Sequence, residues 1–285
     1  MTLIAILLSL WADRRFPDYV DLRQFSLFGL YARIAMRFGA PGSGSWLHYV
    51  LLTALPACVV MIVINIIGFF PPLDMLLWAL ALYLCLPSEP LGPRVEAYLQ
   101  AIRSGSEEQA AQRAEALLES PAPTGDRARD EAVIRHLFSG TTLHVVSLFT
   151  WFFLLGIGGA FFYRLNWQLY HARASLLANR PALTRQVVYA MGLLSWVPAR
   201  LLVLTYAVVG KFAPAMAARQ QGEAAAGDRH TANHALAARS GLASVGFGAD
   251  TLFDDEHVEA AWKRVVRAAR ALLVLAALIT LYGWL

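Results

Sequence analysis

Twenty-two consecutive residues constrain this chain more than any others: Leu143 to Arg164, LHVVSLFTWFFLLGIGGAFFYR, an apolar run with no charge until its last residue. A helix needs about 20 apolar residues to cross a bilayer, so the run predicts a membrane helix. Gly156, Gly158 and Gly159 leave one face of it bare, where another backbone can approach closely. Tyr163 and Arg164 close the run with side chains that suit the water interface: a ring at headgroup level and an arginine that snorkels. The same residues fit two readings, a packed anchor helix with interfacial caps and a helix whose Arg164 faces a ligand at the membrane surface.

The rest of the composition agrees with a membrane protein. Of 285 residues, 58% are hydrophobic and 15% charged, against about 25% charged in a soluble domain. The expected architecture is all-α: a polytopic helical bundle with about four to five membrane segments, built as one membrane domain over residues 1–285. The net charge of +4 fits basic juxtamembrane segments meeting anionic membrane lipid. No basic stripe with interleaved aromatics points to nucleic acid. Cys58 and Cys85 each lie inside an apolar run and read as small hydrophobes, not as a disulfide or a metal site. No cofactor is implied.

Along the chain, Met1 to Trp11 is apolar but too short to span. It reads as an uncleaved helix packed on the bundle or lying in the interface. A polar connector covers 12–45. Trp46 to Phe70 is a span that Pro56 can kink, and its Asn65 calls for a partner on a neighbouring helix. Gly68 to Pro72 predicts a tight turn into a shorter helix, Leu73 to Pro87. Residues 88–142 form a polar helical excursion, with one helix after Ser106 and another from Asp126 continuing into the Leu143 run. His136 and His144 lack further ligands at metal-binding spacing, so no metal site is expected. Gly192 to Phe212 carries Pro198 and Arg200; it can be a kinked span, a re-entrant segment or an interfacial helix. Arg200 is costly in lipid unless it is paired, faces a polar cavity or snorkels. A second polar excursion covers 213–270, with a helix start at Asp254 to Glu256, and the last apolar run is Ala271 to Leu285. If every run crosses, the segment 165–189, with Arg173, Arg180, Arg185 and no acid, falls outside the cell against the positive-inside rule. The long polar excursions are expected in the cytoplasm.

Four stretches carry a resemblance: MTLIAILLSLWADRRF at the start, FTWFFLLGIGGAFFYRL in the middle, LSWVPARL after it, and the closing ITLYGWL. The chain resembles the AmpE family of bacterial inner-membrane proteins, end to end. GGAFFYR and WVPARL at this separation are a specific pair, similar to the family's GALLYRL and WVPVRL blocks. AmpE in turn resembles CobD/CbiB, a membrane enzyme of cobalamin synthesis that joins an aminopropanol to adenosylcobyric acid. The CobD pattern has an ESLAEN-like segment before its FW, an Asn and an acid after its YR, and paired acids before WVP. Here the first place holds RHLFSGTTLHVVSLFT, the second holds LNWQLYHARA with Asn166 shifted, and the third holds Ser195. Amide synthesis needs groups that handle protons, so the missing carboxylates weigh against turnover, and no catalytic residue is assigned.

The resemblance therefore implies a multi-pass inner-membrane regulatory protein linked to β-lactamase induction and peptidoglycan recycling, with an unknown signalling protein as partner. The residues retained from the shared pattern are Gly158, Gly159, Tyr163, Arg164, Trp196, Pro198 and Arg200, with Asn166 beside them. They suit binding of an anionic cell-wall or lipid ligand, since guanidinium groups fork to phosphate or carboxylate. Arg164 and Arg200 are expected to converge on one cavity mouth close to Trp196. The other two functions carried by the sequence are a CobD-like adenosylcobinamide-phosphate synthase and a ligand-free assembly partner.

Overall fold

A computed structural model describes residues 2–15, 26–35, 45–68, 71–87, 90–220, 227–248 and 251–282. Among the described residues every regular element is a helix. The first five are α1 (Thr2–Arg15), α2 (Ser26–Ala35), α3 (Ser45–Leu52), α4 (Ala54–Ile67) and α5 (Pro71–Cys85). The first polar excursion holds α6 (Leu91–Arg103) and α7 (Glu107–Leu118), and α8 (Asp126–His171) runs out of it into the central apolar stretch. After a single turn, α9 (Arg173–Leu176), come α10 (Pro181–Leu194) and α11 (Trp196–Val209). The chain ends with α12 (Phe212–Gln220), α13 (Arg229–Val245) and α14 (Asp255–Leu281). Helix starts follow local chemistry. Asp228 accepts from the Thr231 amide and Asp254 from the His257 amide, each capping a helix in an extended conformation. Of the turn expected at Gly68 to Pro72, Phe69 and Phe70 lie outside the described residues, as do most of 12–45 and the end of the last apolar run.

Among the described residues three helices are long and apolar enough to cross a membrane: Trp46–Ile67, Asp126–His171 and Pro181–Val209. The sequence pointed to about four to five segments; Asp74–Cys85 is apolar but shorter. Each of the three is interrupted. The first leaves regular geometry at Thr53 (φ −122°, ψ −59°), three residues before Pro56. The third breaks at Ser195, three residues before Pro198. Proline has no amide hydrogen for the carbonyl four residues back, and here the carbonyl of Leu194 takes the indole N–H of Trp151 instead, at 2.8 Å. Among the described residues Asn65 bonds within its own helix and not across the bundle: its amide donates to the Met61 carbonyl one turn back, 2.8 Å away.

The second interruption reorganises the molecule. Gly156 sits at φ 65°, ψ −155° inside α8, a region essentially reserved for glycine. In a continuous helix, residues 20 apart lie about 30 Å from each other. Arg164 and His144 are 20 residues apart and hydrogen-bond at 3.1 Å. The chain therefore doubles back at Gly156, and α8 is a hairpin with a first limb of 126–155 and a second of 157–171. A Cβ on Gly159 would run into the Trp151 carbonyl and Leu155, so close limb contact needs glycine there too. The central run is thus two packed limbs and not the single straight span that its length predicts.

Two apolar clusters flank the hairpin. One joins α1, α3, α5 and α10 to the tip-proximal part through residues such as Ile6, Leu82, Phe152, Ile157 and Met191. The other joins α6, α7, α11, α13 and α14 to the first limb through Tyr98, Leu117, Phe138, Tyr206 and Val258. Large apolar side chains on the outside, among them Ile66, Leu154, Leu155 and Leu281, give the first cluster and the end of α14 a surface that suits lipid.

Candidate functional site

Reversal at Gly156 sets the polar residues of the two limbs face to face. His144 comes from the first limb, Tyr163 and Arg164 from the second, and all three are buried, Arg164 to 3% exposure. Arg164 Nη1 donates to Nε2 of His144 at 3.1 Å, and Nδ1 of His144 lies 3.0 Å from the Tyr163 hydroxyl. The guanidinium also lies over the Trp167 ring, 4.7 Å from its centre. Trp167 is itself stacked between His144 and His171, at centroid distances of 4.4 and 4.1 Å.

Other elements complete the surround. α13 supplies His230 and His234, whose rings meet edge to face at 4.4 Å. Their i, i+4 spacing puts both on one face of the helix. His230 is anchored at the α10–α11 break: its Nδ1 lies 3.1 Å from Ser195 Oγ, and that hydroxyl donates to the Met191 carbonyl at 2.7 Å. From α6 comes Arg94, facing Glu119 at the end of α7 across 3.8 Å. Together these groups line a cavity of about 720 Å³. Five of the chain's seven histidines are on its wall (His136, His144, His171, His230 and His234), and among the described lining residues Glu119 is the one acid. Buried Gln168 Oε1 and His136 Nε2, both lining residues, have no hydrogen-bond partner among the described residues. Burial first, then the nearby His171 and Arg173, push the His230 imidazole down to about 4. Burial, with His230, His136 and His171 close by, pushes His234 down to about 3.

Of the residues grouped from the sequence, Tyr163 and Arg164 line this cavity, and Trp196, Pro198, Arg200, Asn166, Gly158 and Gly159 do not. Arg200 does not converge on Arg164. It lies over the Trp196 ring at 4.0 Å and donates to Asn233 Oδ1 at 3.3 Å, one turn along α13 from the cavity-lining His230. Asn233 in turn donates to Ser195 Oγ at 2.9 Å, which links Arg200 to the Ser195 junction beside His230. Pro198 creates that junction. Asn166 is fully buried and ties the second limb to α3 by accepting from the Tyr49 hydroxyl at 2.8 Å. Gly158 packs on Met61 and Gly159 on the first limb.

The histidines were the residues missed. His136 and His144 stood alone in the sequence because their companions come from the second limb and from α13, about a hundred residues on in the case of His234. The HTANH spacing of His230 and His234 was the one local signal. Among the described residues no group of three or more His, Cys, Asp or Glu side chains is arranged to hold a metal ion. The cavity combines fixed positive charge with imidazoles that offer both donor and acceptor nitrogens, a lining that can meet an anion.

A family model described as "Regulatory signalling modulator protein AmpE" matches residues 1–285, the whole chain. The chain belongs to the AmpE family. No curated protein and no solved structure matches it. With three helices long and apolar enough to span a membrane, it is a membrane member of a regulatory family.

Proposed function

We propose that this AmpE-family chain is a multi-pass inner-membrane regulator of β-lactamase induction in the cell-wall recycling response, and that it senses an anionic cell-wall or lipid ligand through the histidine-lined cavity. The cavity carries the reading. A 720 Å³ space lined by a buried Arg164, Arg94 and five imidazoles, with Glu119 the one acid among the described lining residues, has the size of a small-molecule site and side chains that suit an anion. Arg164 and Tyr163 form its floor where the hairpin limbs meet. Arg200 is a positioning residue that steadies the α10–α11 break through Asn233.

The test is a β-lactamase induction reporter in cells that carry Arg164→Ala or Arg200→Ala at normal protein levels. A charge-assisted hydrogen bond contributes about 1.5–3 kcal/mol. Arg164→Ala should therefore weaken ligand response by about tenfold to a hundredfold while insertion is preserved, and Arg200→Ala should weaken it less. Wild-type induction by an inserted, folded Arg164→Ala protein rejects the cavity as the sensing site.

A further inference from the structure

Three of the five imidazoles around the cavity hold their proton on Nδ1. A guanidinium has donors only, so Nε2 of His144, which takes the Arg164 N–H, is unprotonated and the ring's proton faces Tyr163. Nδ1 of His171 lies 2.9 Å from the Trp167 carbonyl, an acceptor. Nδ1 of His230 faces Ser195 Oγ, whose own hydrogen goes to Met191. In all three rings Nε2 is left as the basic nitrogen. These are neutral rings set among fixed charges. Arg164 and Arg173 come from the end of α8 and from α9, Arg94 from α6, and the acids among the described residues here are Glu119, which faces Arg94, and Asp228 at the start of α13. In the anion-free protein a proton on any one ring meets its neighbours' positive charge in a buried space. A dianion among them reverses that balance.

We propose that the cavity takes a tetrahedral dianion of the phosphate class and a proton together. The anion accepts the Arg164 N–H that His144 Nε2 otherwise takes. His144 Nε2, released, binds a proton from water and becomes a second charged donor to the same anion, and His230 and His234 stand ready for the same role. No bond to phosphorus forms or breaks; one proton moves from solvent to an imidazole. The depressed titration of His230 and His234 supports this, because it keeps them uncharged until an anion arrives. The inference deepens the anion-site reading above and rests on it.

The full chain in detergent is titrated calorimetrically with sodium sulfate, which stays a dianion throughout, at pH values of about 7.5, 6.5 and 5.5. Affinity should rise by about three- to tenfold per pH unit as the pH falls, and the heat should change between two buffers of different ionisation enthalpy. Binding with no pH dependence and no buffer dependence overturns the coupled proton and leaves the anion site standing. Failure to bind sulfate at every pH overturns both. His144→Gln should bind with less proton uptake, and Arg164→Gln should lose binding at all pH values, with folding of each checked by its elution as a monodisperse species. Competition then separates the sources. Displacement of sulfate by glycerol phosphate supports a soluble phosphomonoester, and displacement by phosphatidic acid in nanodiscs supports a lipid headgroup. If neither competes, sulfate is an adventitious ion only and the proposal falls.

Discussion

The indole N–H of Trp151 is the partner that Pro198 makes necessary. Pro198 was legible in WVPARL as a helix breaker, and the physics of the missing amide was legible with it. What filled the gap was not, because Trp151 lies 43 residues from Leu194 in sequence and meets it only after α8 has folded back. Trp151→Phe should leave the Leu194 carbonyl without its donor and destabilise the protein by about 1–3 kcal/mol. Pro198→Ala restores an amide at that position, so the double variant should cost less than the sum of the two singles. Thermal unfolding of the four proteins in one detergent measures the cycle, and strict additivity would refute the pairing. Gly156 makes a second test. Its backbone conformation costs about 1–3 kcal/mol for any other residue, so Gly156→Ala should lower the melting temperature clearly. Gly158→Ala, whose new methyl would lie 3.2 Å from the flexible Met61 thioether, should lower it less.

At the scale of elements, helix identity was largely visible and helix geometry was not. The start of α8 at Asp126, the break between Leu118 and Asp126, and the acidic opening of α14 all follow from caps, prolines and glycines in the sequence. A run of twenty-two apolar residues, in contrast, satisfies a straight span and a hairpin equally. Three glycines in it can serve packing or a turn. Only the contacts of His144 with Tyr163 and Arg164 decide between them, and those are long-range. The polar helix α13 was equally silent, since its role depends on what it faces. Its two histidines give a pH prediction. Both imidazoles titrate in the folded protein below their unfolded value of about 6.5. As pH falls below that value the unfolded chain binds protons that the folded chain refuses, so stability drops. The loss continues towards about 4 for His230 and about 3 for His234, with a slope of up to about 1.4 kcal/mol per pH unit for each. The melting temperature should therefore fall on acidification from about pH 7 to about pH 5. His230→Gln combined with His234→Gln should flatten that dependence. A melting temperature that rises with acid would contradict burial of neutral rings.

For the whole molecule, the cavity decides which segments share a side of the membrane. His136 and His144 of the first limb, His171 of the second and His234 of α13 surround one space, and the rings of Tyr170 and His230 are 4.6 Å apart. A hydrocarbon core is about 30 Å thick, so residues that meet at these distances cannot belong to loops on opposite faces. The excursion 90–142, the segment 172–180 and the start of α13 at His230 and His234 are therefore expected on one side. The apolar run 143–164 is then expected to enter the membrane and return at Gly156. Such a hairpin removes the charge conflict that a single straight span creates, because Arg173 and Arg180 join the other polar segments, for which the positive-inside rule predicts the cytoplasmic side. Cysteine labelling tests it. With Cys58→Ser and Cys85→Ala as background, single cysteines at Ser120, Asn179 and Gln220, all exposed in the fold, should resist an impermeant maleimide in intact spheroplasts. All three should react in inverted vesicles. Ser120 and Asn179 sampling opposite compartments would mean that the run from Leu143 to Arg164 crosses the bilayer once. The hairpin, the cavity and the sensing role built on it would then fall together.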